Sequence, residues 1–209
     1  QLFFIMFESR PIIPIRDGWL EVRVPQDIMK DVWSMVDLAK VDAKDKLAGN
    51  ISSSLEMDPT DMFRSFMDNV TSEYREQFNY KPNQMVSRIS DDASLQLHDL
   101  WVNWQYQTEF NPSHVHFGAF SFVIWLKMPV DTRDQLQLPF ASKNTSQCVS
   151  CFQFEYVNIF GHRKSFNYPM GEQMEGIMVF FPAEMNHLVY PFYGTDEPRV
   201  SVAGNMAWF

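Results

Sequence analysis

From residue 95 to the last residue, Phe209, the chain is cut at short intervals by Gly, Pro and Asn, and the stretches between are dominated by aromatic and β-branched residues. Such residues suit a pleated, half-buried surface. Six strand-like segments result, at 95–107, 114–127, 151–160, 176–182, 186–192 and 199–208. The first 94 residues follow another rhythm. Leu20, Val22 and Val24 alternate with Glu21 and Arg23, a short strand that Pro25 stops. Ile28, Val32, Met35, Val36 and Ala39 then follow helical spacing. A second helix is expected from Asp58-Pro59, with Asp58 as cap, Pro59 in the first helical position and Asp61 at the positive end. Its apolar face is Met62, Phe63, Phe66, Met67, Val70 and Tyr74. Helices first and strands later predict an α+β domain. The strands of 95–209 would close a sandwich or barrel, residues 1–94 would buttress one face, and 1–209 would be a single domain.

Composition narrows the function. With 45% hydrophobic and 15% aromatic residues, the chain has enough apolar surface for a packed core. Lys and Arg number 17 against 26 Asp and Glu, a net charge of -9, and no basic cluster offsets it. This argues against nucleic acid as a partner. Two cysteines, Cys148 and Cys151, rule out a disulfide-stapled scaffold. No apolar run reaches the ~18–20 residues that span a bilayer. Leu2–Phe7 is too short for the core of a secretory signal. The expectation is a reduced, cytoplasmic protein with no membrane partner. The glycosylation-type triplets at Asn50, Asn69 and Asn144 carry little weight in that setting.

Five histidines carry most of the potential chemistry: His98, His114, His116, His162 and His187. His114 and His116 stand two apart, after Asn111-Pro112-Ser113. On an extended backbone that spacing puts both imidazoles on one face, where they can share one ion. Two half-exposed histidines at the start of a strand fit the same spacing equally well. His187 follows a buried apolar strand and a turn. Twelve residues later comes Arg199-Val200-Ser201, after the turn-rich run Tyr193 to Pro198. A hairpin over that run would set His187 opposite Ala203, with Arg199 roughly 13 Å away at ~3.3 Å per residue. An Arg side chain spans about half of that, leaving a gap the size of a small dicarboxylate that the guanidinium could grip bidentately. Ser201 shares the face of Arg199 and adds a hydroxyl. The alternative for Arg199 is a surface ion pair with Glu197 or another acid.

Asn103 and Gln105 are polar positions in an aromatic strand. Buried, they would need a partner that a ligand could supply; for Gln105 a solvated face is the better reading. Cys148-Val149-Ser150-Cys151 has neither a second pair for zinc nor a thioredoxin-like context, and reads as incidental. His98, beside Asp99, reads as structural, and His162, after Gly161, as part of a turn.

The ordered set H-x-H, a distant His and then Arg-x-Ser resembles the Fe(II)/2-oxoglutarate-dependent dioxygenases, in particular the prolyl-4-hydroxylase-like branch with its members from marine phages. The likeness runs from Trp101 to Phe209. It rests on Trp101-Val102-Asn103, Asn111 to His116, Ser121 to Leu126, Phe181-Pro182, His187, Arg199 and Ser201, with a fainter echo in Lys46 to Ile51. The resemblance implies a double-stranded β-helix (a jelly roll) with a metal between its sheets. It implies Fe(II), 2-oxoglutarate and dioxygen, with decarboxylation to succinate and hydroxylation of a protein, peptide or small-molecule substrate, for instance at a prolyl side chain. It maps His114 and His187 onto iron ligands and Arg199 and Ser201 onto the distal carboxylate of the co-substrate. Ser121, Val123 and Trp125 would line the co-substrate pocket, with Asn103 nearby.

The chain departs from the family at His116, where a carboxylate is usual. His116 as the third ligand is the favoured outcome. Otherwise Glu109 or Glu155 completes the site, or the position is left to water or halide. A neutral three-His centre keeps open a cupin-like dioxygenase without 2-oxoglutarate, and a jelly-roll binding or virion module needs no metal at all. In an oxygenase, the polar loop 130–147 and the segment 160–174 are where substrate contacts are expected. The sequence also leaves a homodimer open.

Overall fold

In a computed structural model of the chain, residues 18–79 and 94–209 are described. The Leu2–Phe7 run lies outside them. Strands β1 (Leu20–Arg23), β2 (Val41–Asp42), β3 (Ser53–Glu56), β4 (Leu95–Gln105), β6 (Phe120–Lys127), β9 (Ile177–Pro182) and β11 (Arg199–Trp208) form a seven-stranded sheet in the order β1-β9-β6-β11-β4-β3-β2. Strands β5 (Asn111–His114), β7 (Phe152–Val157), β8 (Arg163–Tyr168) and β10 (Asn186–Val189) form a smaller sheet in the order β5-β10-β7-β8. Neighbouring strands in both sheets run antiparallel. This is the jelly-roll architecture of a double-stranded β-helix, and the long later strands fall where the aromatic alternation predicts them.

Strand alternation separates two cores. Val102, Val200, Val202, Phe122, Ile124, Met178 and Phe180 face away from the smaller sheet. Helices α1 (Gln26–Leu38) and α2 (Asp61–Gln77) cover them with Ile28, Val32 and Met35, and with Phe63, Met67, Val70 and Tyr74. The opposite face carries Trp125, Val179 and Phe181, which pack against Phe152, Phe154 and Tyr168 of the smaller sheet. The helices therefore buttress one face, and the other face is free to build a site between the sheets.

Helix α2 starts two residues later than expected. Thr60, not Asp58, is its cap: the Thr60 hydroxyl oxygen accepts the Phe63 N–H at 3.1 Å. The same hydroxyl donates to Asp31 of α1, so one side chain caps the second helix and fastens it to the first.

Two expectations about chain path need correcting. The segment 114–127 is not one strand. The chain leaves the smaller sheet at His114 and joins the larger at Phe120. Gly118 makes the bend at φ +106°, and a Cβ there would sit 2.6 Å from the Met206 carbonyl oxygen. No hairpin joins His187 to Arg199 either. His187 pairs with His114 and Phe154 in the smaller sheet, whereas Arg199 pairs with Gln105 in the larger. The intervening run crosses between sheets. Pro191 and Pro198 lack the N–H that a hairpin ladder needs, and the carbonyls of Pro191 and Phe192 accept from Ser150 and Thr108 instead.

Candidate metal centre and its cavity

Strand pairing sets His114 directly opposite His187, and the turn out of β5 brings His116 over both. His116 is held there by its backbone, whose N–H donates to the Ala183 carbonyl at 2.8 Å. The ligand atoms of the three imidazoles lie within 4.8 Å of one another. Nδ1 of His114 is 2.7 Å from the Pro112 carbonyl oxygen, and Nδ1 of His187 is 2.9 Å from that of Met185. A carbonyl only accepts, so each Nδ1 carries the proton and each Nε2 keeps its lone pair. The His187 Nε2 lies 3.2 Å from the His116 Nε2.

Burial lowers all three pKa values. His114 falls below its ordinary value, while His116 is pushed to about 4 and His187 to about 3, the neighbouring imidazoles adding to the effect. Three neutral imidazoles with two tautomers fixed from behind fit a first-row divalent metal. No carboxylate joins them among the described residues. Glu109 accepts from the Ser52 and Tyr106 N–H groups, and Glu155 binds Ser113 and Arg163, so neither stands in for the missing acid.

The cavity beside this cluster lies between the sheets. One wall is the larger sheet, where register aligns Ser54, Asn103, Ser201 and Trp125 as a row across β3, β4, β11 and β6. Next along the same face come Gln105 and Arg199. The three histidines, Arg199, Ser201, Asn103, Gln105 and Trp125 all line this one cavity. The Trp125 ring packs against Phe152 and Tyr168. Asn103 is buried and accepts a 2.6 Å hydrogen bond from Ser54.

Ser121 sits on the same face but at its far end, off the cavity, and its hydroxyl donates to Asn205 at 2.8 Å. Gln105 is not solvated: it is 3% exposed, donates to the Glu109 carbonyl and accepts from Arg199. Leu47, Ala48 and Gly49, within the Lys46 to Ile51 stretch that carries the fainter family likeness, also line the cavity. A Cβ at Gly49 would meet the Asn111 side-chain oxygen at 2.0 Å, so any larger residue there would push that side chain aside.

Arg199 is 2% exposed. Its Nη2 donates to the Ser150 carbonyl at 2.7 Å and its Nη1 to Gln105 at 3.4 Å, and the guanidinium lies over the Phe192 ring. Its Nε has no partner, and no acid forms an ion pair with it among the described residues. The surface pair with Glu197 does not form, because Glu197 binds Lys127. Burial lowers Arg199 to about 10, which leaves it protonated at neutral pH. A buried, unpaired guanidinium is costly unless an anion meets it. The orphan Asn111 oxygen lines the same cavity.

A second cavity opens on the other side of His114 and His116, lined by Trp101, Asp99, His98, Arg64 and Phe117 among others. The segments 130–147 and 160–174 line neither cavity. The first instead bonds through Gln135 to the backbone of Tyr193. His98 pairs with Asp99 at 2.9 Å, and His162 lies in the β7–β8 turn. Among the described residues no helix is long and apolar enough to cross a membrane.

Residues 99–205, just over half of the chain, match the profile of a family described as "Putative 2OG-Fe(II) oxygenase". No curated protein matches by sequence. Two solved structures share the fold. One is a Pseudomonas putida prolyl-4-hydroxylase, at 14% identity and TM-score 0.51, covering 91% of this chain and 92% of that one. The other is an oxidoreductase of the 2OG-Fe(II) oxygenase family from Burkholderia pseudomallei, at 9% identity and TM-score 0.54, covering 91% and 84%.

Proposed function

Since the chain belongs to the 2OG-Fe(II) oxygenase family, which implies Fe(II), 2-oxoglutarate and dioxygen, we propose that it oxidises a substrate C–H bond at an iron held by His114, His116 and His187, with Arg199 gripping the distal carboxylate of 2-oxoglutarate. When bound, the iron and co-substrate supply the activation of dioxygen, and 2-oxoglutarate leaves as succinate. The chain's own residues orient and shield. The Pro112 and Met185 carbonyls hold His114 and His187 in the ligating tautomer. Gln105 and the Ser150 carbonyl aim the guanidinium. Ser201 offers a hydroxyl beside it, Asn103 an amide, and Trp125 an apolar wall that excludes water. Substrate reaches the histidines from the cavity that holds Trp101 and Phe117.

One observation carries this reading: a buried arginine without an acidic partner lines the same cavity as three converging imidazoles. It favours 2-oxoglutarate over a three-His oxygenase that needs no co-substrate, because a guanidinium so placed calls for an anion. Anaerobic calorimetry with Mn(II) and then 2-oxoglutarate tests it. The expected result is metal binding followed by co-substrate binding, with Arg199→Ala weakening the second step by tenfold or more, roughly the loss of a charged hydrogen bond, and sparing the first. No metal binding, or an unchanged co-substrate constant in Arg199→Ala, overturns it.

A further inference from the structure

The C-x-x-C motif, incidental by its sequence, lies against Arg199. Cys148 to Cys151 form a tight turn in which the Cys151 N–H donates to the Cys148 carbonyl at 3.0 Å. Turns of this kind keep their end Cα atoms within about 7 Å, inside the range that a disulfide spans. Ser150, next to Cys151, stands at φ +61°, where a turn normally places Gly or Asn. Three contacts hold it there. Its N–H donates to the Pro191 carbonyl, its hydroxyl pairs with Thr132 at 2.7 Å, and its carbonyl accepts from the Arg199 Nη2. The two thiols are free. Cys148 Sγ lies 2.9 Å from the Ser146 hydroxyl and Cys151 Sγ points to the Gln147 carbonyl.

We propose that Cys148 and Cys151 are an oxidation site at which a peroxide closes a disulfide and loosens the grip on Arg199. The proposal rests on the reading of Arg199 as the residue that holds the co-substrate. Cys148, half-buried, is the thiol a peroxide reaches, and Cys151 is fully buried. Burial raises Cys151 to about 11, so it stays protonated until it resolves the intermediate. The Cys148 thiolate attacks the peroxide O–O bond, becoming a sulfenic acid and releasing hydroxide. The Cys151 sulfur then displaces water from that sulfenic acid and loses its proton. Two thiols are oxidised and one peroxide is reduced to two waters. To bond, the sulfurs must leave Ser146 and Gln147 and turn towards each other. That pulls on Ser150, whose carbonyl anchors the guanidinium.

The test treats the intact chain with hydrogen peroxide and follows the pair by mass spectrometry after thiol alkylation. Co-substrate affinity is measured anaerobically with Mn(II), and the Arg199 Nε–H resonance, assigned by its loss in Arg199→Lys, is followed by NMR. Expected are a closed disulfide, a shifted Nε–H signal and about tenfold weaker 2-oxoglutarate binding, all reversed by dithiothreitol and absent in Cys148→Ser. A disulfide that fails to form, or one that leaves the Nε–H signal in place, overturns the proposal. If the reduced chain binds no 2-oxoglutarate, the reading of Arg199 as its holder fails, and the resonance alone then decides whether the thiol pair controls the arginine.

Discussion

The two sheets of this molecule are built to different standards. The larger has strands of 8, 10 and 11 residues at its centre, paired in long registers and sealed on one face by two helices. The smaller has strands of 4 to 6 residues, and β8 is exposed at five of its six positions. Yet the smaller sheet carries His114 and His187, and the larger carries Arg199, Ser201, Asn103 and Trp125. The long registers and the helix cover lie in the sheet that carries the proposed anion-binding groups, and two of the proposed metal ligands sit on the shorter strands.

The largest effect should come from removing a ring beneath the larger sheet. Phe180 is fully buried against Phe120 and Tyr74, and Phe180→Ala should cost about 3–5 kcal/mol in chemical denaturation. Metal affinity should change little, since the ring touches no histidine of the cluster; a proportional loss of affinity would break the division between the sheets. Next in size is the metal itself. Mn(II) at 100 times its dissociation constant should stabilise the chain by about 2.7 kcal/mol. Hydrogen exchange should locate that protection in β5 and β10 and much less in β4 and β11. Protection spread evenly over both sheets would show that they order as one unit. The smallest effect belongs to the exposed Lys127–Glu197 pair at the end of the central strand β6. Lys127→Ala should cost no more than about 1 kcal/mol and vanish in high salt.

The same contrast explains what the sequence reveals. β4, β9 and β11 are legible because their alternation faces apolar layers on one or both sides. β8, Arg163–Tyr168, is exposed along nearly all its length and offers only Phe166 and Tyr168 in alternation, too few to read as a period. β2 and β3 are too short to show one. H-x-H, His187 and Arg199 stand out because such side chains are rare in strand-rich sequence. Their spatial relation is hidden, because a turn-rich segment reads the same whether it reverses within one sheet or crosses to another. Gln105 is misread for a related reason: alternation reports which side a residue faces, not whether that side holds water or a guanidinium. The α2 cap is displaced because Asp58 and Thr60 are both good caps, and only the contact with Asp31 selects Thr60.

Gly118 and the run 190–198 are two of the places where the chain steps from one sheet to the other. The imidazoles and the guanidinium are thereby mounted on opposite plates of a sandwich, and stacked sheets keep a spacing of about 10 Å. Under the proposed function the two plates would act as a caliper whose opening is set by Trp125, Phe152 and Phe181 packed between them. Trimming one of those rings should change which chain length of diacid the jaws accept before it changes the chemistry at either jaw.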